Sequence, residues 1–149
     1  QVLWATGRGE YETWRAHPAV QRPGVQVVPF IDDMPAAASA ADCIVSRAGA
    51  SSTAEIAAVG RASVLVPYPH ATDNHQSANA RTFEAAGAAE VLHDGDCSAA
   101  ALAGAVSAML RDDARRAAMG AAARNLAQPL AADLIAETVL DTVFGGAAG

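Results

Sequence analysis

Five short apolar runs, each followed by a longer stretch of helical character, limit the folds open to this chain. Val2-Leu3-Trp4-Ala5, Val25-Gln26-Val27-Val28, Cys43-Ile44-Val45, Ser63-Val64-Leu65-Val66 and Ala89-Glu90-Val91-Leu92 each read as a strand. Gly7, Pro18, Gly60, Pro67 and Gly87 punctuate the pattern. Strands alternating with helices specify βαβ units and a parallel sheet. The expected class is therefore α/β, a Rossmann-like parallel sheet with flanking helices.

The intervening helices have readable ends. One runs from Tyr11 to His17, stopped by Pro18. A second is capped by Asp32 or Asp33 and carries Met34 and Pro35 in its first turn, where proline is tolerated. A third runs from Ser52 to Val59 and a fourth from Asn74 to Ala86, ended by Gly60 and Gly87. From Ser98 onward the pattern is wholly helical, giving the fold a helical C-terminus. Leu102, Val106, Met109 and Leu110 share one face, while Leu130, Leu134, Ile135, Val139 and Val143 form another. Pro129 separates two of these helices, and residues 145–149 read as a disordered tail after a 1–144 domain.

Composition narrows the function classes. A length of 149 residues suits one domain with a real core. Ten basic against 16 acidic residues give a net charge of −6 with no basic run, so a nucleic-acid footprint is absent. No apolar run reaches the ~20 residues that span a bilayer. No basic-then-apolar signal precedes the strand-like Gln1-Val2-Leu3-Trp4. Cys43 and Cys97, one in a strand and one in a loop, fit a reduced cytoplasmic setting rather than a disulfide or metal framework. The chain opens directly on a strand, without an initiator Met. It is thus expected to begin inside a larger protein, lacking a first strand and phosphate loop. The resulting sheet edge and apolar helix surface predict a marginal or self-associating chain.

The polar residues of interest fall at the carboxyl ends of the strands, where open parallel sheets bind ligands. After the third strand, Gly49 and Ala50 leave room for close approach to the backbone. The N–H groups around Ser51 and Ser52 then face an anion as unpaired helix-start donors. The competing reading makes Ser51 or Ser52 an ordinary N-cap. Glu55, about one turn further, can accept from a ribose diol, or can serve the helix as dipole or capping-box partner. Phe30-Ile31 offers an aromatic wall and free backbone for a base, against a plain core Phe. His70, His75 and Gln76 cluster after the fourth strand. No third ligand stands at metal spacing from the two histidines, so no metal is called for. Gln76 carries both donor and acceptor for sugar hydroxyls.

Taken in order, several motifs are similar to the C-terminal half of the MurG-type glycosyltransferases. They are Phe30-Ile31-Asp32-Asp33-Met34, Ser46-Arg47-Ala48-Gly49-Ala50 through Glu55-Ile56-Ala57, and Val66-Pro67-Tyr68-Pro69-His70. Asp73-Asn74-His75-Gln76 with Asn79-Ala80, and Ala85-Ala86-Gly87-Ala88-Ala89, continue the match across nearly the whole chain. The resemblance implies the C-terminal, nucleotide-sugar-binding half of a GT-B enzyme. That enzyme transfers N-acetylglucosamine from its UDP donor to undecaprenyl-diphospho-muramoylpentapeptide in peptidoglycan synthesis.

By the same resemblance, Ile31 pairs with uracil beside Phe30, and Ala50, Ser51 and Ser52 line the diphosphate and sugar. Glu55 holds the ribose hydroxyls, while His75 and Gln76 reach the N-acetylglucosamine. The implied reaction is inverting, needs no cofactor, and takes its base from an N-terminal acceptor domain, so no residue here is assigned as catalytic. The full-length enzyme is expected in the cytoplasm, peripheral at the inner face of the plasma membrane, with the lipid-linked acceptor reached through that other domain. Two alternatives stand beside this reading. One is a stand-alone sugar-nucleotide-binding subunit of a split glycosyltransferase, and the other is the donor domain of another GT-B branch. Ser46-Arg47, where natural-product enzymes tend to carry histidines, and the Asp32-Asp33-Met34 and His70 motifs favour the cell-wall branch.

Overall fold

The computed structural model describes residues 1–71 and 74–144. Asp73 of the motif before the fourth helix and the expected tail at 145–149 lie outside the described residues. The chain forms two compact units, Gln1–Ala37 and Ala38–Gly149.

In the first unit β1 (Val2–Ala5) pairs in parallel with β2 (Val25–Val28), Val2 opposite Val25 and Ala5 opposite Val28. The crossover contains α1 (Tyr11–Arg15) and a 3-10 turn at Pro18–Val20. The helix expected to run to His17 stops at Arg15, because His17 is extended and caps the turn instead. Its Nδ1 accepts from the Ala19 N–H at 3.1 Å, with Pro18 in the first turn position. Trp14 lies between Trp4 at 4.9 Å and His17 at 5.4 Å, ring centre to ring centre. α2 (Met34–Ala40) starts where expected. Asp33 is its cap, with Oδ1 accepting from the Ala36 N–H at 2.9 Å.

The second unit is built around one buried strand. It contains β3 (Ile44–Ser46), α3 (Ala50–Val59), β4 (Ser63–Leu65), α4 (His75–Ala85) and β5 (Glu90–Val91). Three helices follow, α5 (Ala99–Arg111), α6 (Asp113–Asn125) and α7 (Ala131–Phe144). β4 runs between β3 and β5 and is parallel to both, with Val64 opposite Val45 on one side and Glu90 on the other. All three β4 residues are buried, Val64 and Leu65 completely, as a strand covered on both faces requires. The hydrogen-bonded ladders are thus two parallel sets, β1–β2 and β3–β4–β5, where the sequence reading placed all five strands in one sheet.

Small residues carry the close packing. Ile56, Ala57, Leu65, Ala80, Phe83, Ala88 and Ala123 form the main cluster, and Met109 fills a second beside Ala62 and Met119. α3 ends at Gly60, whose φ of 61° is left-handed and suits glycine. α6 crosses this end so closely that a Cβ on Gly120 would lie 2.4 Å from the Gly60 oxygen. Arg116 reaches back from α6, donating from Nη1 to the Met109 and Leu110 carbonyls at 3.0 and 2.7 Å. Those carbonyls lie in the last turn of α5, where Met109 O also accepts from the Asp112 N–H at 3.3 Å.

Some expectations are corrected. β3 begins at Ile44, so Cys43 lies just outside it, half-buried. Desolvation, reinforced by the Glu90 charge, pushes the Cys43 thiol pKa up. Leu110 does not share the buried face of α5, being 47 % exposed while Met109 is fully buried. The apolar face expected on α7 exists, but α7 has no buried residue, and Leu134, Ile135, Val139, Leu140 and Val143 are all exposed.

Gly120→Ala would force a methyl into the Gly60 carbonyl, a contact that only backbone movement relieves. Denaturant unfolding should show a loss of about 1–3 kcal/mol, the usual cost of overpacking. An unchanged midpoint would contradict the packing of α6 on α3.

Candidate functional site

The parallel order β3–β4–β5 places the loops after these strands along one edge. After β3 the chain passes through Arg47 and the fully buried Ala48 to Gly49, the N-cap of α3, which is extended at φ −67°, ψ 152°. Gly49 brings no side chain to cap the helix. The first intrahelical bond is Thr53 N–H to Gly49 O at 2.9 Å. The N–H groups of Ala50, Ser51 and Ser52 therefore have no acceptor among the described residues. Neither serine is the N-cap, so that reading is corrected. Thr53 turns its hydroxyl back to the Gly49 and Ala50 carbonyls at 3.0 and 3.1 Å. The open end of α3 thus offers several aligned donors and the positive end of a helix dipole.

Glu55 is six positions after the cap and is exposed. A capping box needs its carboxylate three positions after the cap, so Glu55 does not serve that purpose. It makes no hydrogen bond or ion pair among the described residues. The carboxylate is available for a ligand beside the helix start.

α4 begins at His75, after Asn74 at a left-handed φ of 55°. His75 is exposed and Gln76 half-buried. Gln76 is less free than its side-chain inventory implies, since its Oε1 accepts from the Tyr68 N–H at 2.9 Å. Its NH2 group remains as the donor end. Three residues on, and so on the same helix face, Asn79 donates from Nδ2 to the Ala48 carbonyl at 3.0 Å. That bond joins α4 to the loop that starts α3. His70 packs its ring edge-on to Tyr68 at 5.6 Å. Among the described residues, no three His, Cys, Asp or Glu side chains are grouped as metal ligands.

Ala50, Ser51, Ser52, His75 and Gln76 are thus carried on two helix starts joined through Asn79 and Ala48. Phe30 and Ile31 belong to the first unit, directly after β2, with Phe30 60 % exposed, which excludes the plain core Phe. Two residues without an assigned role emerge at the same strand ends as the helix starts. Arg47 donates from Nη1 to the Val66 and Pro67 carbonyls at 3.2 and 3.4 Å and to Asp94 Oδ1 at 2.7 Å. Asp94, in the 3-10 turn after β5, carried no local signal because its partner is 47 positions away.

Parallel strands with flanking helices and functional loops gathered at the strands' carboxyl ends define an α/β protein of Rossmann-like kind. The chain belongs to the family described as glycosyltransferase family 28 C-terminal domain, which matches residues 1–135. A relative from Desulfitobacterium hafniense (strain Y51) is 39% identical over 149 aligned positions, covering 97% of this chain and 40% of the relative. One from Carboxydothermus hydrogenoformans is 47% identical over 98 positions, covering 66% of this chain and 26% of that protein. Both are named UDP-N-acetylglucosamine--N-acetylmuramyl-(pentapeptide) pyrophosphoryl-undecaprenol N-acetylglucosamine transferase. The crystal structure of Acinetobacter baumannii MurG superposes with a TM-score of 0.82 at 33% identity, covering 93% of this chain and 40% of that one. The chain therefore matches the C-terminal part of the GT-B fold, and spans less than half the length of these relatives.

Removing the Asn79 amide leaves the Ala48 carbonyl of a fully buried residue without its donor. Asn79→Ala should cost about 1–3 kcal/mol in denaturant unfolding, the penalty for an unsatisfied buried acceptor. A loss below a few tenths of a kcal/mol would show that Asn79 does not tie the two helix starts together.

Proposed function

We propose that this chain is the donor-binding part of an inverting N-acetylglucosaminyltransferase that uses UDP-N-acetylglucosamine. The observation that carries the reading is the start of α3. Among the described residues, three N–H groups there lack acceptors, and an exposed Glu55 without a hydrogen bond or ion pair stands one turn further along. The N–H groups suit a diphosphate, and the carboxylate suits the adjacent ribose diol. Gln76, with its NH2 free to donate, and His75 extend the same edge toward the sugar. Phe30 and the Ile31 backbone, in the first unit, are assigned to the uracil by the family resemblance alone.

The chemistry follows from charge. As the bond to the anomeric carbon breaks, negative charge grows on the departing diphosphate. Donors already fixed at a helix start stabilise that charge without reorganising. The nucleophile and its base come from elsewhere. The relatives' names include an undecaprenol-linked acceptor, and this chain covers 40% of the length of the Desulfitobacterium relative. We place the acceptor site and catalytic base in the remaining, N-terminal part of such an enzyme. The exposed apolar face of α7 is a surface suited to packing against further protein. Among the described residues no helix is long and apolar enough to cross a membrane. In the whole enzyme the lipid tail of the acceptor sets the location, on the cytoplasmic side at the inner face of the plasma membrane.

Calorimetric titration with UDP and with UDP-N-acetylglucosamine tests the donor site. Glu55→Ala should weaken both by about tenfold or more, the loss of hydrogen bonds to a charged acceptor, while the melting temperature stays close to that of the parent. Equal affinity in Glu55→Ala and the parent chain would refute the assignment of the ribose site.

A further inference from the structure

Arg47 links the loop after β3 to the loops after β4 and β5. Its Nη1 group lies 3.2 Å from Val66 O, 3.4 Å from Pro67 O and 2.7 Å from Asp94 Oδ1. Its guanidinium also lies over the Tyr68 ring at 5.6 Å from the centroid. One planar cation thus spans three strand ends. We propose that Arg47, held by Asp94, is a positioning residue for the donor loop, setting the direction of the Ala50–Ser52 N–H groups. The inference rests on the donor-site reading above.

The connection runs through very little chain. Arg47 precedes Ala48, which is fully buried and whose carbonyl is held by Asn79, and then Gly49, the N-cap. Ala50 is three residues from Arg47, so an error in the Arg47 backbone passes directly into the helix start. Donors aimed at a ligand need placement to within roughly 0.5 Å and 10–20°. Gly49 supplies no side chain to hold the cap, so the loop is held from its two flanks, by Arg47 before it and Asn79 beside it.

A bare surface ion pair would not explain this geometry. The Arg47 and Asp94 side chains are 51% and 42% exposed, and exposed pairs contribute little to stability. The three polar contacts share the N–H bonds of Nη1, while the ring contact is made by the planar guanidinium, which lysine lacks. Lysine at this position keeps the charge but loses the bridge. Asp94 matters because it turns the guanidinium toward the loops after β4 and β5.

The opposite arrangement has a distinct signature. Were Arg47 itself a ligand of the diphosphate, restrained by Asp94, removing the Asp94 charge would free it and tighten binding. A positioning pair loses affinity whichever partner is altered.

The test is calorimetric titration of the chain with UDP and with uridine, alongside thermal melting, for the parent, Arg47→Lys, Asp94→Asn and the double variant. Each single substitution should weaken UDP binding by about tenfold, as sub-ångström misplacement of oriented groups does. The double variant should be no weaker than the weaker single, because both act through one bridge. Uridine, which lacks the diphosphate, should bind with unchanged affinity, and the melting temperature should fall by less than ~4 °C. Unchanged UDP affinity in both singles overturns the inference while leaving the donor site intact. Tighter binding in Asp94→Asn overturns it in favour of a direct ligand. Equal losses for UDP and uridine overturn it in favour of general loosening. A parent chain that binds no UDP removes the donor-site reading, and this inference with it.

Discussion

The complete burial of β4 is the constraint on which the second unit depends. Val64 and Leu65 have no solvent exposure, so both faces of the strand must be covered and both edges paired. A strand in that position is central and parallel to its neighbours, with helices supplying the cover. The parallel order then puts the loops after β3, β4 and β5 at one edge. Every candidate residue of this unit, from Arg47 to Asp94, is placed by that consequence. The hydrophobic effect thus sets the location of the polar chemistry.

What distinguishes that edge is polar capacity left unspent. The starts of α2, α5 and α6 satisfy a donor with a side chain, Asp33, Ser98 and Asp112 accepting at 2.9, 3.1 and 2.8 Å. The cap residues of α1, α3 and α4 accept no such bond. α3 starts on Gly49 and leaves its first donors open. The neighbouring polar side chains make their own bonds elsewhere. Thr53 bonds back to the turn, Gln76 holds Tyr68, Asn79 holds Ala48 and Arg47 holds three acceptors. The side chains around the helix start fix the backbone without filling its donors. That arrangement suits an anionic ligand bound by the backbone itself.

Much of this was legible in the sequence, because strands and helix ends are local properties. The runs at Val2, Val25 and Ser63, the stops at Gly60 and Gly87 and a cap at Asp32 or Asp33, which the structure resolves to Asp33, needed only nearest neighbours. The errors arose where tertiary context decided. Serine propensity placed the cap of α3 at Ser51 or Ser52, yet the helix starts earlier, on an extended Gly49, and both serines lie inside its first turn. Periodicity put Leu110 with Met109, though α5 buries only the stripe through Ala105 and Met109. Arg47, Asn79 and Asp94 gained roles from partners 19 to 47 positions away, and no local pattern records such a distance. The family resemblance carried the donor, the acceptor and the residue roles. The residues alone reach an anion-binding α/β protein.

The most direct test of the account follows backbone amide shifts of the isotope-labelled chain during titration with UDP-N-acetylglucosamine. The largest perturbations are expected at Ala50, Ser51 and Ser52, with further shifts at Gln76. Saturable binding that left the Ala50–Ser52 amides unmoved, or no perturbation at all, would contradict the account.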